Sequence, residues 1–280
     1  MSRSRLPLAV LAPALLVAFL TCSEAQTQTT KIMPLGDSIT ESVTTFASYR
    51  YWLWKSLEQA GYDVDFVGSR TGVLLGPPRF EDFDQDHEGH TGFRTDQILA
   101  QVHGWAEDAD PDIVLIHLGT NDLWQGRAPE DVLDDIRSVI GELRDVNPEV
   151  VILLAKIIPS TAFEVRPLNR GLHRIAVELW RPRSPVHSVD QWYGFKASMD
   201  TWDGVHPDED GEKKIAARFF GTLGRYLRDP IGPTNELPGT DRQSSLPSSS
   251  FSERLGWNLR LQRTLLSAGF VELDRLRASY

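Results

Sequence analysis

A serine, a histidine and an aspartate in this chain have the types and spacing needed to cleave an ester. Ser38 stands in Gly-Asp-Ser-Ile, just after the short run Lys31 to Pro34. A serine hydroxyl is a poor nucleophile until a base takes its proton, and His206 in Asp-Gly-Val-His-Pro can do so. Asp203, three residues before His206, can accept a hydrogen bond from the other ring nitrogen and fix its tautomer. We therefore predict Ser38 as nucleophile, His206 as general base and then general acid, and Asp203 as the orienting acid.

Each of these motifs also has a purely structural interpretation. Ser38-Ile39-Thr40-Glu41 matches a capping box in which Ser38 is the N-cap of a short helix. That role is compatible with catalysis, because a cap uses a hydroxyl lone pair and leaves the proton free for a base. Likewise, His206 could simply neighbour a helix start that Asp203 and Asp208 flank. The catalytic interpretation therefore depends on the motifs meeting in space.

Four short blocks occur in order along the chain, with helix-sized spacers between them. They are Gly36-Asp37-Ser38-Ile39, His90-Thr91-Gly92-Phe93, Gly119-Thr120-Asn121-Asp122 and Asp203-Gly204-Val205-His206-Pro207. In this order they resemble the blocks of the SGNH (GDSL-type) hydrolases, over roughly residues 30–228. The residues of these blocks, together with the segment from His87 to Ile98, look most like those of the carbohydrate esterase family 3 acetyl xylan esterases. Thr91 and Phe93 stand where that family often has serine and tryptophan, which leaves the glycine between them intact.

The resemblance implies an oxyanion hole made of three N–H donors, the backbone N–H groups of Ser38 and Gly92 and the side-chain amide of Asn121. Glycine suits its role because the acyl group must approach the backbone closely, and a neutral amide donates without competing as a base. An Asx turn closing a strand is the alternative for Asn121. We interpret Asp37 and Asp122 as structural, with Asp37 holding the nucleophile loop by hydrogen bonds.

Several aromatic residues lie near these motifs. Trp124 is two positions after Asp122 and Trp202 directly precedes Asp203, so we predict that they wall the site and offer aromatic faces to a sugar ring. Core or rim packing is the alternative for both. Trp52 and Trp54 lie on a predicted helix and are assigned to the core. His117, inside an apolar strand, is interpreted as a core or near-site histidine and not as the base.

Two patterns suggest a metal site but fail on their spacing. Asp82, Asp84 and Asp86 alternate as in an EF-hand loop, but its sixth position is His87 instead of glycine and its twelfth is phenylalanine instead of glutamate. The run from His87 to His90 is one residue short of the zinc motif HExxH, so its histidines would not share a helix face. We therefore expect neither a metal nor another cofactor.

Helices and strands alternate regularly through the centre of the chain. Helical spacing, caps and stops predict helices at about 48–60, 95–106, 129–145, 167–180 and 207–227, the second with Thr95 as its N-cap. A first strand leads into Ser38, further strands are predicted near 62–67, 112–118, 150–158 and 186–190, and 71–92 is predicted as a long loop. This pattern implies an α/β fold, a three-layer α/β/α sandwich with a parallel sheet of about five strands. The family resemblance adds the flavodoxin-like strand order.

Composition restricts the location and the partners. The first 25 residues contain Arg3 and Arg5, then an apolar run and small residues at a cleavage position, which predicts a signal peptide at 1–25 and a secreted, extracellular protein. The only cysteine, Cys22, falls within it. With 29 Lys and Arg against 39 Asp and Glu, the chain is acidic, which disfavours nucleic acid and anionic membrane surfaces as partners. We expect a monomer that acts on a neutral substrate, without membrane contact after signal cleavage.

The composition changes beyond the catalytic domain, which is predicted at 26–228. Residues 229–250 are rich in Pro, Gly and Ser, as linkers are. Residues 251–280 are predicted to be a C-terminal appendage, partly helical or disordered, because they are too few to bury an independent core.

The resemblance implies a secreted serine esterase that removes acetyl groups from plant cell-wall polysaccharide such as xylan. Two alternatives stay open from the sequence. A GDSL-type lipase, lysophospholipase or thioesterase would use the same residues beside an apolar groove. A non-catalytic carbohydrate-binding protein would retain only the scaffold.

Overall fold

The computed structural model describes residues 29–227. The predicted signal peptide, linker and C-terminal appendage lie outside these residues. Within them, no helix combines the length and the apolar character that crossing a bilayer requires.

The secondary structure alternates between strands and helices, as predicted. The strands are β1 (Thr30–Gly36), β2 (Val64–Phe66), β3 (Arg70–Thr71), β4 (Asp86–Gly89), β5 (Ile113–His117), β6 (Val151–Lys156) and β7 (Val186–Asp190). The helices are α1 (Ser38–Glu41), α2 (Tyr49–Gln59), α3 (Thr95–Leu99), α4 (Val102–Ala109), α5 (Thr120–Trp124), α6 (Pro129–Val146), α7 (Arg166–Glu178), α8 (Ala197–Asp200) and α9 (Glu209–Leu223).

A parallel sheet forms the middle layer, with strand order β2-β1-β5-β6-β7. The first predicted strand therefore lies between the second and the third, which confirms the flavodoxin-like order. All five residues of β5 are buried, as expected for a central strand covered on both faces. The carboxyl ends of the parallel strands share one edge, and Ser38 follows the end of β1 at that edge.

Helices cover both faces of the sheet and create two apolar clusters. One cluster includes residues of α3, α4, α6 and α7, and the other includes residues of α2 and α9. In α6, Pro129 occupies the first turn with Glu130, and the buried face recurs at Val132, Ile136 and Ile140. The three-layer α/β/α prediction is confirmed by this arrangement.

The predicted loop 71–92 contains strand structure that the sequence pattern did not indicate. β4 pairs in parallel with the carboxyl half of β1, where Gly36 lies opposite Gly89, and β3 pairs antiparallel with β4. The prediction failed because β4 reads Asp-His-Glu-Gly, which has no apolar alternation. Glu88 is nevertheless fully buried, because its carboxylate accepts hydrogen bonds from the Ser69 N–H and hydroxyl at 2.7 Å each.

The predicted helix 95–106 was wrong in two details. It is divided into α3 and α4, and Arg94 instead of Thr95 occupies the N-cap position. Thr95 does not cap because its N–H and its hydroxyl both donate to the buried carboxylate of Asp122, 27 residues away. Thr95 thus binds Asp122, a residue distant in the sequence, instead of capping the helix as the sequence suggested.

A buried carboxyl group joins α9 to the loop between α1 and α2. Glu212 is 1% exposed and accepts hydrogen bonds from the Ser48 N–H at 2.9 Å and the Trp52 ring N–H at 3.3 Å. Trp52 and Trp54 are partly buried and pack against the core, as assigned. Burial raises the pKa of Glu212 to about 8, although these donors favour the charged form.

This raised pKa predicts a pH-dependent contribution to stability. Between the ordinary pKa of glutamate and about 8, folded Glu212 keeps a proton that the unfolded chain has lost, so stability falls as pH rises, by at most about 1.4 kcal/mol per pH unit. Glu212→Gln removes this titration. Urea unfolding at pH 5, 6.5 and 8 measures the free energy of unfolding of both proteins. The value for the variant minus the value for the wild type should therefore increase as pH rises. A constant difference across these pH values would contradict the assignment.

Candidate active site

The structure brings the three predicted catalytic side chains together. The Ser38 hydroxyl oxygen lies 2.9 Å from Nε2 of His206, and Nδ1 of His206 lies 2.7 Å from Oδ2 of Asp203. The first pair is separated by 168 residues in the sequence. These contacts form a serine–histidine–aspartate relay, in which the histidine can take the serine proton while the carboxylate holds its other nitrogen.

The nucleophile turn is shaped by Asp37 and not by Ser38. Asp37 is the N-cap of α1, and its Oδ1 accepts a hydrogen bond from the Ile39 N–H at 2.9 Å. The capping-box interpretation with Ser38 as N-cap is therefore wrong, and the structural role assigned to Asp37 is confirmed. Because Asp37 does the capping, the Ser38 hydroxyl remains available to His206. Burial raises the pKa of Asp37 to about 6, despite the Ile39 N–H and the nearby His206.

A buried arginine that sequence reasoning missed supports the far end of the same turn. Arg50 is 0% exposed, and its guanidinium donates to the carbonyl groups of Thr40 at 2.9 Å, Glu41 at 3.2 Å and Gln85 at 2.6 Å. Burial lowers the pKa of Arg50 to about 10. The cation thus satisfies carbonyl groups at the end of α1 and fixes the turn against the segment before β4. No local pattern in the helix indicated this role.

The loop that carries the histidine is held by its own aspartate. Oδ1 of Asp203 accepts hydrogen bonds from the N–H groups of Val205 at 2.9 Å and His206 at 2.7 Å, while Oδ2 binds the histidine ring. Burial would raise the pKa of Asp203, but the hydrogen bond and charge of His206 and these N–H groups keep it below its usual value. Gly204 permits the turn, since its φ is +91° and a Cβ there would meet the Thr161 hydroxyl.

The loops that carry the predicted oxyanion donors come together through the register of the sheet. Gly36, two residues before Ser38, pairs with Gly89 of β4 and with His117 of β5. Gly92 and Asn121 follow those two strands closely, so all three loops leave neighbouring strands at one edge. The Asn121 side-chain amide donates to the Phe93 carbonyl at 2.9 Å, which joins two of the loops directly. This bond replaces the Asx turn considered for Asn121.

The donors in this arrangement remain available to a ligand. Within residues 29–227, neither the Ser38 N–H nor the Gly92 N–H donates to another protein group. The side-chain amide of Asn121 has a second hydrogen beyond the one given to Phe93. Glu41 links the loops further, because its Oε2 accepts from the Thr91 N–H at 2.9 Å and its Oε1 pairs with Arg70 at 2.7 Å. The nucleophile helix and the Gly92 loop are thus fixed relative to each other.

Removing the amide of Asn121 should slow catalysis without changing the triad. We expect Asn121→Ala to lower kcat about 10²- to 10³-fold, because one preorganised donor to the developing oxyanion is lost. Steady-state hydrolysis of nitrophenyl acetate measures this effect. Asn147→Ala, which removes an amide that donates to the Pro111 carbonyl, is the matched control. An unchanged kcat for Asn121→Ala would remove this residue from the oxyanion hole.

A small cleft opens beside Ser38. Its wall contains Ile39, Val43, Pro207 and Trp202, and it encloses about 10 Å³, with the rest of its space open to solvent. Trp202 stacks on the His206 ring with 5.4 Å between ring centroids. Trp202 therefore lies in the wall of this cleft, and its contact with a sugar ring stays a prediction.

Trp124, the second predicted wall residue, lies elsewhere. It is 48% exposed and contacts the edge of Phe163 at a centroid distance of 6.1 Å, and it does not line the cleft beside Ser38. Trp124 ends α5 three residues after Asn121, but the wall of the cleft is built from residues of other segments instead. His117 is fully buried, and its Nε2 accepts from the Ile158 N–H at 3.3 Å, which confirms it as a core histidine. Burial lowers the pKa of His117 to about 4.

Three acidic residues are close enough to hold a metal, but an arginine already occupies their centre. Oxygens of Asp96, Asp122 and Asp135 cluster within the part of the chain that the structure describes. Nη1 of Arg127 lies 2.6 Å from Asp122 and 2.8 Å from Asp135. The guanidinium neutralises the cluster, which anchors α5 and hence Asn121. This arrangement agrees with the structural role assigned to Asp122.

Known proteins are similar to this chain over most of the described residues. A family model described as "GDSL-like Lipase/Acylhydrolase family" matches residues 35–214, which include all three triad residues. A multidomain esterase of Ruminococcus flavefaciens is 26% identical over 75% of this chain but only 30% of its own length. The chain thus spans less than a third of that relative.

Two solved structures are similar over nearly their whole length. An acetyl esterase mutant crystallised with an acetate ion has 31% identity and a TM-score of 0.64, covering 70% of this chain and 97% of that one. A carbohydrate esterase family 3 protein from Talaromyces cellulolyticus has 32% identity, the same TM-score and the same coverage. The described fold is therefore shared with proteins that are named as esterases.

Proposed function

The chain belongs to the GDSL-like lipase/acylhydrolase family and is an esterase of the SGNH type, and from this premise we propose that it removes acetyl groups from plant cell-wall polysaccharide outside the cell. The observation that carries the proposal is the 2.9 Å contact between the Ser38 hydroxyl and His206, with Asp203 behind the ring. The similar structures include an acetyl esterase and a carbohydrate esterase, which supports both the acyl group and the substrate class.

The proposed reaction proceeds through an acyl-enzyme. The Ser38 oxygen attacks the acetyl carbonyl carbon while its proton passes to Nε2 of His206. The N–H groups of Ser38, Gly92 and Asn121 stabilise the resulting oxyanion. When the tetrahedral intermediate collapses, His206 gives its proton to the departing sugar oxygen, and the acetyl group stays on Ser38.

The second half of the reaction hydrolyses the acyl-enzyme and restores the free Ser38 hydroxyl. A water molecule loses a proton to His206 and attacks the acyl carbon, and collapse of this intermediate returns that proton to the Ser38 oxygen as acetate leaves. Asp203 stays ionised throughout and stabilises the protonated ring. Each step uses groups of this chain and water alone.

The size of the cleft supports a short acyl group. Its enclosed space is only about 10 Å³, roughly that of one water-sized group, and the rest of the cleft is open to solvent. We expect kcat/KM for nitrophenyl esters to fall about tenfold or more from acetate to butyrate, because overfilling a packed site costs roughly 1–3 kcal/mol. A rise with chain length would favour the lipase, lysophospholipase or thioesterase alternative instead.

The polysaccharide is tested directly by acetate release. Acetylated xylan should yield acetate faster than acetylated pectin, and Ser38→Ala should release about 10⁶-fold less from either. If neither polymer is deacetylated while small acetate esters are hydrolysed, the polysaccharide part of the proposal fails. Labelling by a serine-reactive phosphonate separates an esterase from a non-catalytic carbohydrate-binding protein, since an inactive site would not react.

The extracellular location is a further part of the proposal. It is supported by the arginines and the apolar run in residues 1–25. N-terminal sequencing of the exported protein should begin at Gln26, and retention of the full chain inside the cell would contradict it.

A further inference from the structure

A pair of exposed aromatic residues stands apart from the cleft beside Ser38. Trp192 is 37% exposed and Tyr193 is 76% exposed, and neither is used by the catalytic arrangement. We propose that these two residues, called here the Trp192–Tyr193 platform, bind the sugar backbone of the polysaccharide while Ser38 removes an acetyl group elsewhere on the same chain. The inference rests on the proposed function and adds a second subsite to it.

The platform lies on the catalytic edge of the sheet. It follows Asp190, the last residue of β7, just as Ser38 follows the end of β1. β1 and β7 are three strand positions apart in the order β1-β5-β6-β7, which corresponds to about 14 Å at the usual strand spacing. A polysaccharide a few sugar units long can span this separation, whereas a nitrophenyl ester cannot.

The backbone of the platform is held rigidly. Oδ1 of Asp190 accepts hydrogen bonds from the N–H groups of Trp192 and Tyr193, both at 3.0 Å. The guanidinium of Arg218 in α9 donates to the carbonyl of Gln191 at 2.6 Å and to that of Tyr193. Because the turn is fixed before binding, little conformational entropy is lost when a ligand stacks on it.

The surroundings of the platform favour a sugar chain over a protein partner. Among residues 29–227, neither ring stacks on another aromatic ring. The exposed neighbours Gly194, Lys196 and Ser198 interrupt the apolar surface, so it is small compared with the roughly 800 Å² per partner of stable protein interfaces. Aromatic faces beside polar groups match the alternating CH faces and hydroxyl groups of a sugar chain.

The platform is also continuous with the catalytic cleft through the chain. Helix α8 (Ala197–Asp200) connects the turn to Trp202, which walls the cleft. Met199, which is 66% exposed, lies in this connecting helix. A backbone lying along this path would touch both aromatic sites at once.

The test compares a polymeric with a small substrate. In the double variant Trp192→Ala/Tyr193→Ala, we expect KM for acetylated xylan to rise about tenfold, because both aromatic faces that stack on the sugar backbone are removed. Hydrolysis of nitrophenyl acetate, which is too short to reach the platform, should change less than twofold. Trp180→Ala is the matched control, because Trp180 is 51% exposed but follows α7 at the opposite edge of the sheet, before β7 begins.

A binding measurement keeps the test independent of polymer deacetylation. Affinity electrophoresis in gels containing deacetylated xylan should show retardation of Ser38→Ala that is lost when the two aromatic substitutions are added. An unchanged KM together with unchanged retardation would overturn the platform, as would equal losses on both substrates. A change in oligomeric state in the double variant, measured by size-exclusion chromatography, would identify the patch as a contact between copies of the chain and would also overturn it.

Discussion

Replacing Ser38 with alanine is expected to lower kcat for nitrophenyl acetate about 10⁶-fold, as removal of the nucleophile does in other serine hydrolases. The 2.9 Å contact with Nε2 of His206 positions the hydroxyl for deprotonation, and alanine leaves neither an attacking oxygen nor a proton for the histidine. The N–H donors at Ser38, Gly92 and Asn121 remain, so a small residual rate over water should persist.

The control for this experiment is the same substitution at a serine outside the site. Ser138→Ala in α6 removes a hydroxyl that donates to the Asp134 carbonyl at 3.0 Å, and it should leave kcat unchanged. Circular dichroism and thermal unfolding of both variants establish that they fold. Wild-type activity in the folded Ser38→Ala protein would exclude Ser38 as nucleophile.

Asp203→Asn should lower kcat about 10⁴-fold although the shape of the side chain is kept. The 2.7 Å contact from Oδ2 to Nδ1 of His206 requires an acceptor, and an asparagine amide there would donate instead. Nδ1 would then become the acceptor and Nε2 would carry the hydrogen, so His206 could no longer take the proton of Ser38. The loss should appear in kcat far more than in KM, because substrate contacts are unchanged.

The matched control is the same aspartate-to-asparagine substitution at Asp208. Asp208 is the N-cap of α9 and its Oδ1 accepts from the Gly211 N–H at 3.0 Å, a role that asparagine performs equally well. Asp208→Asn should therefore retain both stability and activity. A loss of less than tenfold for Asp203→Asn would show that Asp203 does not set the tautomer.

The spacing of the sequence motifs predicted much of the site because residues that act together in one loop are also close together in the sequence. Asp203 and His206 are three residues apart, and one loop presents both. Regular alternation of strands and helices likewise predicted the parallel sheet, since buried strands and amphipathic helices have distinct periodicities. The strand β4 was missed because its burial depends on partners such as Ser69 and not on apolar composition.

The same reason explains the supporting residues that were missed. Arginine side chains are usually exposed. Arg50 is completely buried because the carbonyl groups around it accept hydrogen bonds from its guanidinium group. Glu41 reads as part of a capping box, yet its carboxylate connects Arg70 with the loop of Gly92. Each pairing joins residues from distant parts of the chain, so no local window contains it.

By itself, the sequence determined the type of fold, the catalytic residue types and the order in which they occur. The tertiary structure decided which polar groups satisfy one another: Asp37 caps α1, Asp122 holds Thr95 and Arg127, and Trp124 stays outside the cleft. The physical reason is that periodicity and capping are short-range properties of the backbone. The cost of burying a charge, by contrast, depends on the partners that only the folded chain brings within hydrogen-bonding distance.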